Sequence, residues 1–168
     1  MVRIAIIVLL LSVHVFCGVP EFFYDSGPYW LRAATYSFFH ANIWHLAINC
    51  IAVWTVFRPT ISVTSRKWHK MFLAAYIIAV LVYPFSLRPV IGFSNILYAT
   101  IGLNTPRLSS PWWRRTSVII FIAVTALMIF FPVFSASTHI ASFLLGMAGA
   151  AIRRSYQALL SDAARYLR

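Results

Sequence analysis

Tyr36-Ser-Phe-Phe-His40-Ala-Asn-Ile-Trp-His45-Leu-Ala-Ile-Asn49 lies inside an apolar run of about 34–57, and its reading decides the fold. A helix needs about 20 apolar residues to cross about 30 Å of hydrocarbon, which this run supplies. On a helix, His45 and Asn49 stand four apart and project from one face. His40 comes five residues before His45, near one end of the run. Polar groups at membrane depth are costly, so those found there are functional candidates by default.

Outward from this run, five further apolar stretches appear, giving expected spans of about 4–19, 34–57, 69–87, 91–105, 117–133 and 137–152. Their breaks are marked by Arg58-Pro59, Pro84, Pro89, Pro106, Pro111 and Pro132. Two of these runs also open on polar groups. The fourth begins with Gly92-Phe93-Ser94-Asn95, and the sixth with Thr138-His139, continuing to Ser142 and Gly146. The expected fold class is an all-α membrane protein, with residues 1–168 as a single membrane domain.

Composition supports this class. Of 168 residues, 61% are hydrophobic and 10% charged, against about 45–50% and about 25% in soluble domains. The net charge of +11 sits in the breaks between apolar runs, which favours a topology signal over nucleic-acid binding. With the N-terminus inside, 12 of the 14 basic residues fall on the inner side, leaving Arg32 and Arg88 outside. The expected topology is therefore six spans, N-in and C-in. The first run is read as a retained helix, because no small-x-small site marks a signal-peptide cut. Cys17 and Cys50 both fall within expected spans, so no disulfide is expected.

The acid count excludes whole classes of chemistry. Glu21, Asp25 and Asp162 are the only carboxylates, and none lies within a long apolar run. A paired-aspartate protease, a His-Glu-x-x-His zinc protease and a carboxylate-driven proton pump each lack their central residue. The second, fourth and sixth spans all run from outside to inside, which brings their polar groups to one level in the outer half. A serine and a histidine on two helices can form a nucleophile and base, with donors on a third stabilising an oxyanion. Taken singly, Ser94 and Asn49 read more simply as packing or hydrogen-bonding residues, and His139 reads equally well as one beside backbone carbonyls.

In combination and in this order, His40-x4-His45-x3-Asn49, Gly92-x-Ser94 and His139 with Gly146 seven later resemble the rhomboid intramembrane serine proteases. The resemblance runs from Trp30 to Gly146 and implies a six-transmembrane-helix rhomboid-like bundle. It implies Ser94 as nucleophile and His139 as base, with no third carboxylate. It assigns the oxyanion hole to the His45 ring, the Asn49 amide and the Ser94 N–H. Tyr98 stands where an aromatic packs on the catalytic histidine, Gly102 where a helix-packing glycine stands, and Arg32 where the family carries its first-loop arginine. Gly92 belongs to the serine motif, and His40 is read as tying the first loop to the second helix. Against the family pattern, Asn95 replaces a glycine, Leu31 a tryptophan and Ser142 a glycine, and the loop of about 20–33 is short.

The resemblance implies hydrolysis of single-span transmembrane substrates, with the fifth span as lateral gate. It implies a protein of the cell (inner or plasma) membrane, with its site open to the extracytoplasmic side. No cofactor, metal or nucleic-acid partner is expected. Two other readings stand beside it: a catalytically inactive rhomboid-like protein that binds membrane clients, and a small metal carrier using His40, His45 and His139. The second has no Cys or carboxylate to complete a ligand set.

Overall fold

The computed structural model describes residues 2–18, 28–56, 65–86, 90–105 and 136–166, with isolated positions between 112 and 126. Among these residues every regular element is helical: α1 (Val2–Cys17), α2 (Tyr29–Thr35), α3 (Ile43–Val56), α4 (Ser65–Val82), α5 (Ser94–Asn104) and α6 (Ala136–Tyr166). Short 3-10 turns at Tyr36–Phe38 and Tyr83–Phe85 follow α2 and α4. The expected fifth span, 117–133, and with it the lateral gate, lies outside the described residues apart from those isolated positions.

Helix α5 is the centre of the bundle. It is buried on all sides, from Asn95 to Asn104 with Ile101 half-buried, as a helix must be when packed by neighbours all round. Helices α3, α4 and α6 pack against it, and α1 packs on α3. Ile96, Ala99, Phe93, Val53, Ala75 and Ala79 are fully buried between them. The closest approach is between α5 and α6. A Cβ on Gly146 would lie 2.5 Å from the Ala99 carbonyl oxygen and 3.1 Å from Gly102 Cα, so the two backbones cross in contact.

Polarity is turned inside out. His40, Asn49, Asn95, Thr100, Thr138, His139 and Ser142 are buried, while Phe16, Trp44, Ile48, Ile51, Leu73, Leu81 and Leu144 are exposed. An apolar exterior of this extent is a feature of surfaces that meet lipid or protein rather than water.

The helix limits differ from the expected spans for local reasons. The run at 34–57 is not one helix. It passes from the end of α2 through the 3-10 turn and the extended Phe39, and α3 starts only at Ile43. Asn42 causes the restart: its Oδ1 accepts the His45 N–H at 2.9 Å, satisfying an orphan donor of the new helix. The run at 91–105 is helical only from Ser94, because Gly92 holds φ +121°, outside the helical region. Helix α1 stops before Gly18, whose φ of +60° is the left-handed conformation that ends helices. Helix α6 runs on to Tyr166, past the expected end at 152.

Among the described residues no helix is long and apolar enough to cross a membrane. Helices α1, α3 and α5 have 16, 14 and 11 residues, lengths of about 24, 21 and 17 Å against about 30 Å of hydrocarbon. Helix α4 is longer but opens on Ser65-Arg-Lys-Trp-His-Lys70, and α6 carries Ser137, Thr138, His139 and Ser142 before Arg153 and Arg154.

Candidate active site

Two helix starts meet at the site. Ser94 is the first residue of α5, and His139 lies in the first turn of α6. The crossing at Gly102 and Gly146 lies eight residues below the serine and seven below the histidine, so near-equal lengths of helix carry both side chains to one level. There, Ser94 Oγ and His139 Nε2 stand 2.7 Å apart, within hydrogen-bond distance. Tyr98, one turn below Ser94, sets its ring edge-on to His139 at 4.8 Å between centroids and 71° between planes. That contact restricts rotation of the imidazole. His139 and Tyr98 are buried, while Ser94 is half-buried.

The start of α5 supplies anion donors without any special side chain. The first helical bond closes from the Leu97 N–H to the Phe93 carbonyl at 3.2 Å. The N–H groups of Ser94, Asn95 and Ile96 therefore precede the intrahelical ladder, at the positive end of the helix dipole.

Helix α3 brings the histidine ring of its first turn to the same turn. A Cβ on Gly92 would lie 2.6 Å from His45 Cε1 and 2.7 Å from Nε2, so the imidazole lies directly over the glycine. Only glycine meets both demands, the positive φ and the space beneath the ring. Asn49 is buried one turn further along α3, and its Nδ2 donates to the His45 carbonyl at 2.9 Å, leaving a second amide hydrogen. His40 packs its ring against His45 at 5.1 Å, with an interplanar angle of 66°. It is fully buried, in the stretch between the 3-10 turn and α3. Arg32 lies half-buried on α2, where its backbone N–H donates to Pro28 O at 3.2 Å.

Three residues to which the sequence reading gave no role at the site, Asn95 being noted there only as a departure from the family pattern, shape this region. Asn42 caps α3 and so aims His45; an Asn three residues before the first periodic position was the available signal. Asn95 does not turn toward Ser94: its Nδ2 donates to the Tyr36 hydroxyl at 2.8 Å. Tyr36 in turn donates that hydroxyl to the Ala79 carbonyl at 2.9 Å. No spacing in the sequence announces that link, because its partners lie 59 and 43 residues from Tyr36.

Among the described residues no cluster of three His, Cys, Asp or Glu side chains is arranged to hold a metal. The metal-carrier reading therefore has no support from the described histidines. Residues 27–156, most of the chain, match the family model of the Rhomboid domain. No curated protein matches the chain.

Proposed function

The chain belongs to the rhomboid family, and on that premise we propose that it is an intramembrane serine protease with a Ser94–His139 dyad. The observation that carries this reading is the 2.7 Å approach of Ser94 Oγ to His139 Nε2. Ser94 attacks the scissile carbonyl as its proton passes to His139 Nε2. The imidazolium then protonates the leaving amine, and water, activated by the same nitrogen, releases the acyl group.

The tetrahedral oxyanion is met by the Ser94 N–H, the second hydrogen of the Asn49 amide and the His45 ring. Preorganised donors of this kind each contribute about 10²–10³ in turnover. The free N–H groups at the start of α5 support that role. No carboxylate is called for, and the Tyr98 ring serves to orient the base.

The substrates are single-span membrane proteins, cut in or near their transmembrane segments. The six apolar runs, the inner bias of basic residues and the apolar exterior support an N-in, C-in protein of the cell membrane. Its site opens to the extracytoplasmic side.

Purified protein treated with a fluorophosphonate probe tests nucleophile, base and oxyanion donors together. Wild type is expected to label, Ser94→Ala and His139→Ala are not, and cleavage of a model transmembrane substrate is lost in both variants. Cleavage undiminished in either would overturn the dyad. Folded wild type that neither labels nor cleaves would favour the inactive client-binding reading.

A further inference from the structure

The turn that presents Ser94 is fastened at both ends to one residue. Two positions before the serine, the Gly92 N–H donates to the Tyr36 carbonyl at 3.0 Å. One position after it, the Asn95 amide donates to the Tyr36 hydroxyl at 2.8 Å. We propose that Tyr36 and Asn95 are a positioning pair that holds the Ser94 turn at the height and rotation where its hydroxyl meets His139. This rests on the dyad reading above.

The donor order leaves little freedom. A tyrosine hydroxyl has one hydrogen, and Tyr36 directs it to the Ala79 carbonyl on α4 at 2.9 Å. Its lone pairs are then left to accept, so the Asn95 side chain must present its NH₂ group. The Asn95 carbonyl oxygen finds no hydrogen-bond partner, which makes the amide bond to Tyr36 the polar contact that offsets burying this side chain. Tyr36, Asn95 and Ala79 are all fully buried, so water does not compete.

The Tyr36 ring is itself held, lying 5.0 Å from the Tyr83 ring at a tilt of 38°. Helix α4, the turn after α2 and the start of α5 thus form one connected unit. A rotation of α5 that moved Ser94 away from His139 would break the Asn95 bond. The asparagine that departs from the family's usual glycine acquires a task here, and Tyr36 is what makes it tolerable.

The test uses the full-length protein and four forms: wild type, Tyr36→Phe, Asn95→Ala and the double variant. Tyr36→Phe removes only the hydroxyl and keeps the ring stack. Three quantities are read: fluorophosphonate labelling rate, kcat and KM on a transmembrane substrate, and amide hydrogen exchange over residues 92–96. Each single variant is expected to lower kcat and labelling on the order of 10-fold, with KM nearly unchanged. Exchange over 92–96 quickens, and the double variant is no worse than the weaker single, because both singles remove the Asn95–Tyr36 bond and Tyr36→Phe adds only loss of the bond to Ala79.

Losses that multiply in the double variant overturn the pair. So does unchanged exchange in both singles, or a fall in melting temperature with the labelling rate of the folded fraction intact. Faster exchange in the variants, together with wild type that neither labels nor cleaves, would fail the dyad reading while upholding the fastening of the turn.

Discussion

The contact between α5 and α6 makes Gly146→Ala a sharp perturbation. The added Cβ would sit 2.5 Å from the Ala99 carbonyl oxygen, 3.0 Å from the Leu103 nitrogen and 3.1 Å from Gly102 Cα. All three are backbone atoms, so no side chain can swing aside. Ordinary contact begins near 3.4 Å, so the helices must part by on the order of 1 Å at the crossing. His139 lies seven residues away along α6, about 10 Å, so a near-rigid separation passes undiminished to the site. The 2.7 Å Ser94–His139 approach would then open to about 3.6 Å, past the limit of a useful hydrogen bond.

Overpacking of this kind costs about 1–3 kcal/mol in stability, and a misplacement of about 1 Å at a reacting pair costs about 10²-fold in rate. Initial cleavage rates of a single-span reporter in liposomes, taken well below the variant's melting temperature, separate the two effects. The expected result is a modest fall in melting temperature with a rate loss on the order of 10²-fold. Wild-type cleavage with wild-type melting would refute the reasoning, since it would mean that the backbones do not cross in contact.

Three further substitutions probe the side facing α3. Gly92→Ala forces a side chain onto φ +121° and into the His45 ring, at an expected cost of about 1–3 kcal/mol and with slowed probe labelling. Adding His45→Ala relieves the clash but leaves the backbone strain, so melting recovers only in part. Asn42→Ala removes the cap on α3 and is expected to lower stability by about 1 kcal/mol in a thermal melt. Faster amide exchange confined to the first turn of α3 would mark the cap as the cause.

The helical class and the family were legible because they rest on dense, local signals: long apolar runs, sparse charge, and short motifs in a fixed order. The limits of the elements were less so. Asn42 within His40-Ala-Asn-Ile-Trp-His45 reads as one more polar residue in an apolar run, yet it divides that run into two elements by taking the His45 N–H. Gly92 reads as part of a serine motif, and only its dihedral angle and the ring above it show why no other residue serves. Tyr36 was silent for a different reason. In a linear reading it is an aromatic among aromatics, and its function as a hub depends on partners at positions 79, 83, 92 and 95 that tertiary packing alone brings together.

The way His139 is oriented bears on how the site tolerates change. Glu21 and Asp25 lie outside the described residues, and Asp162 is exposed near the far end of α6, 3.7 Å from Arg165. An exposed pair at that distance contributes little even to its own helix. In a triad, a buried carboxylate fixes the imidazole through a hydrogen bond whose length tolerates small shifts of the backbone. In the proposed dyad the Tyr98 edge contact at 4.8 Å and the α5–α6 crossing, both packing terms, contribute to the orientation of the ring. Packing falls off steeply over fractions of an ångström. Such a site should therefore lose activity through small substitutions two helical turns from the chemistry, at glycines that touch no substrate, before it loses its fold.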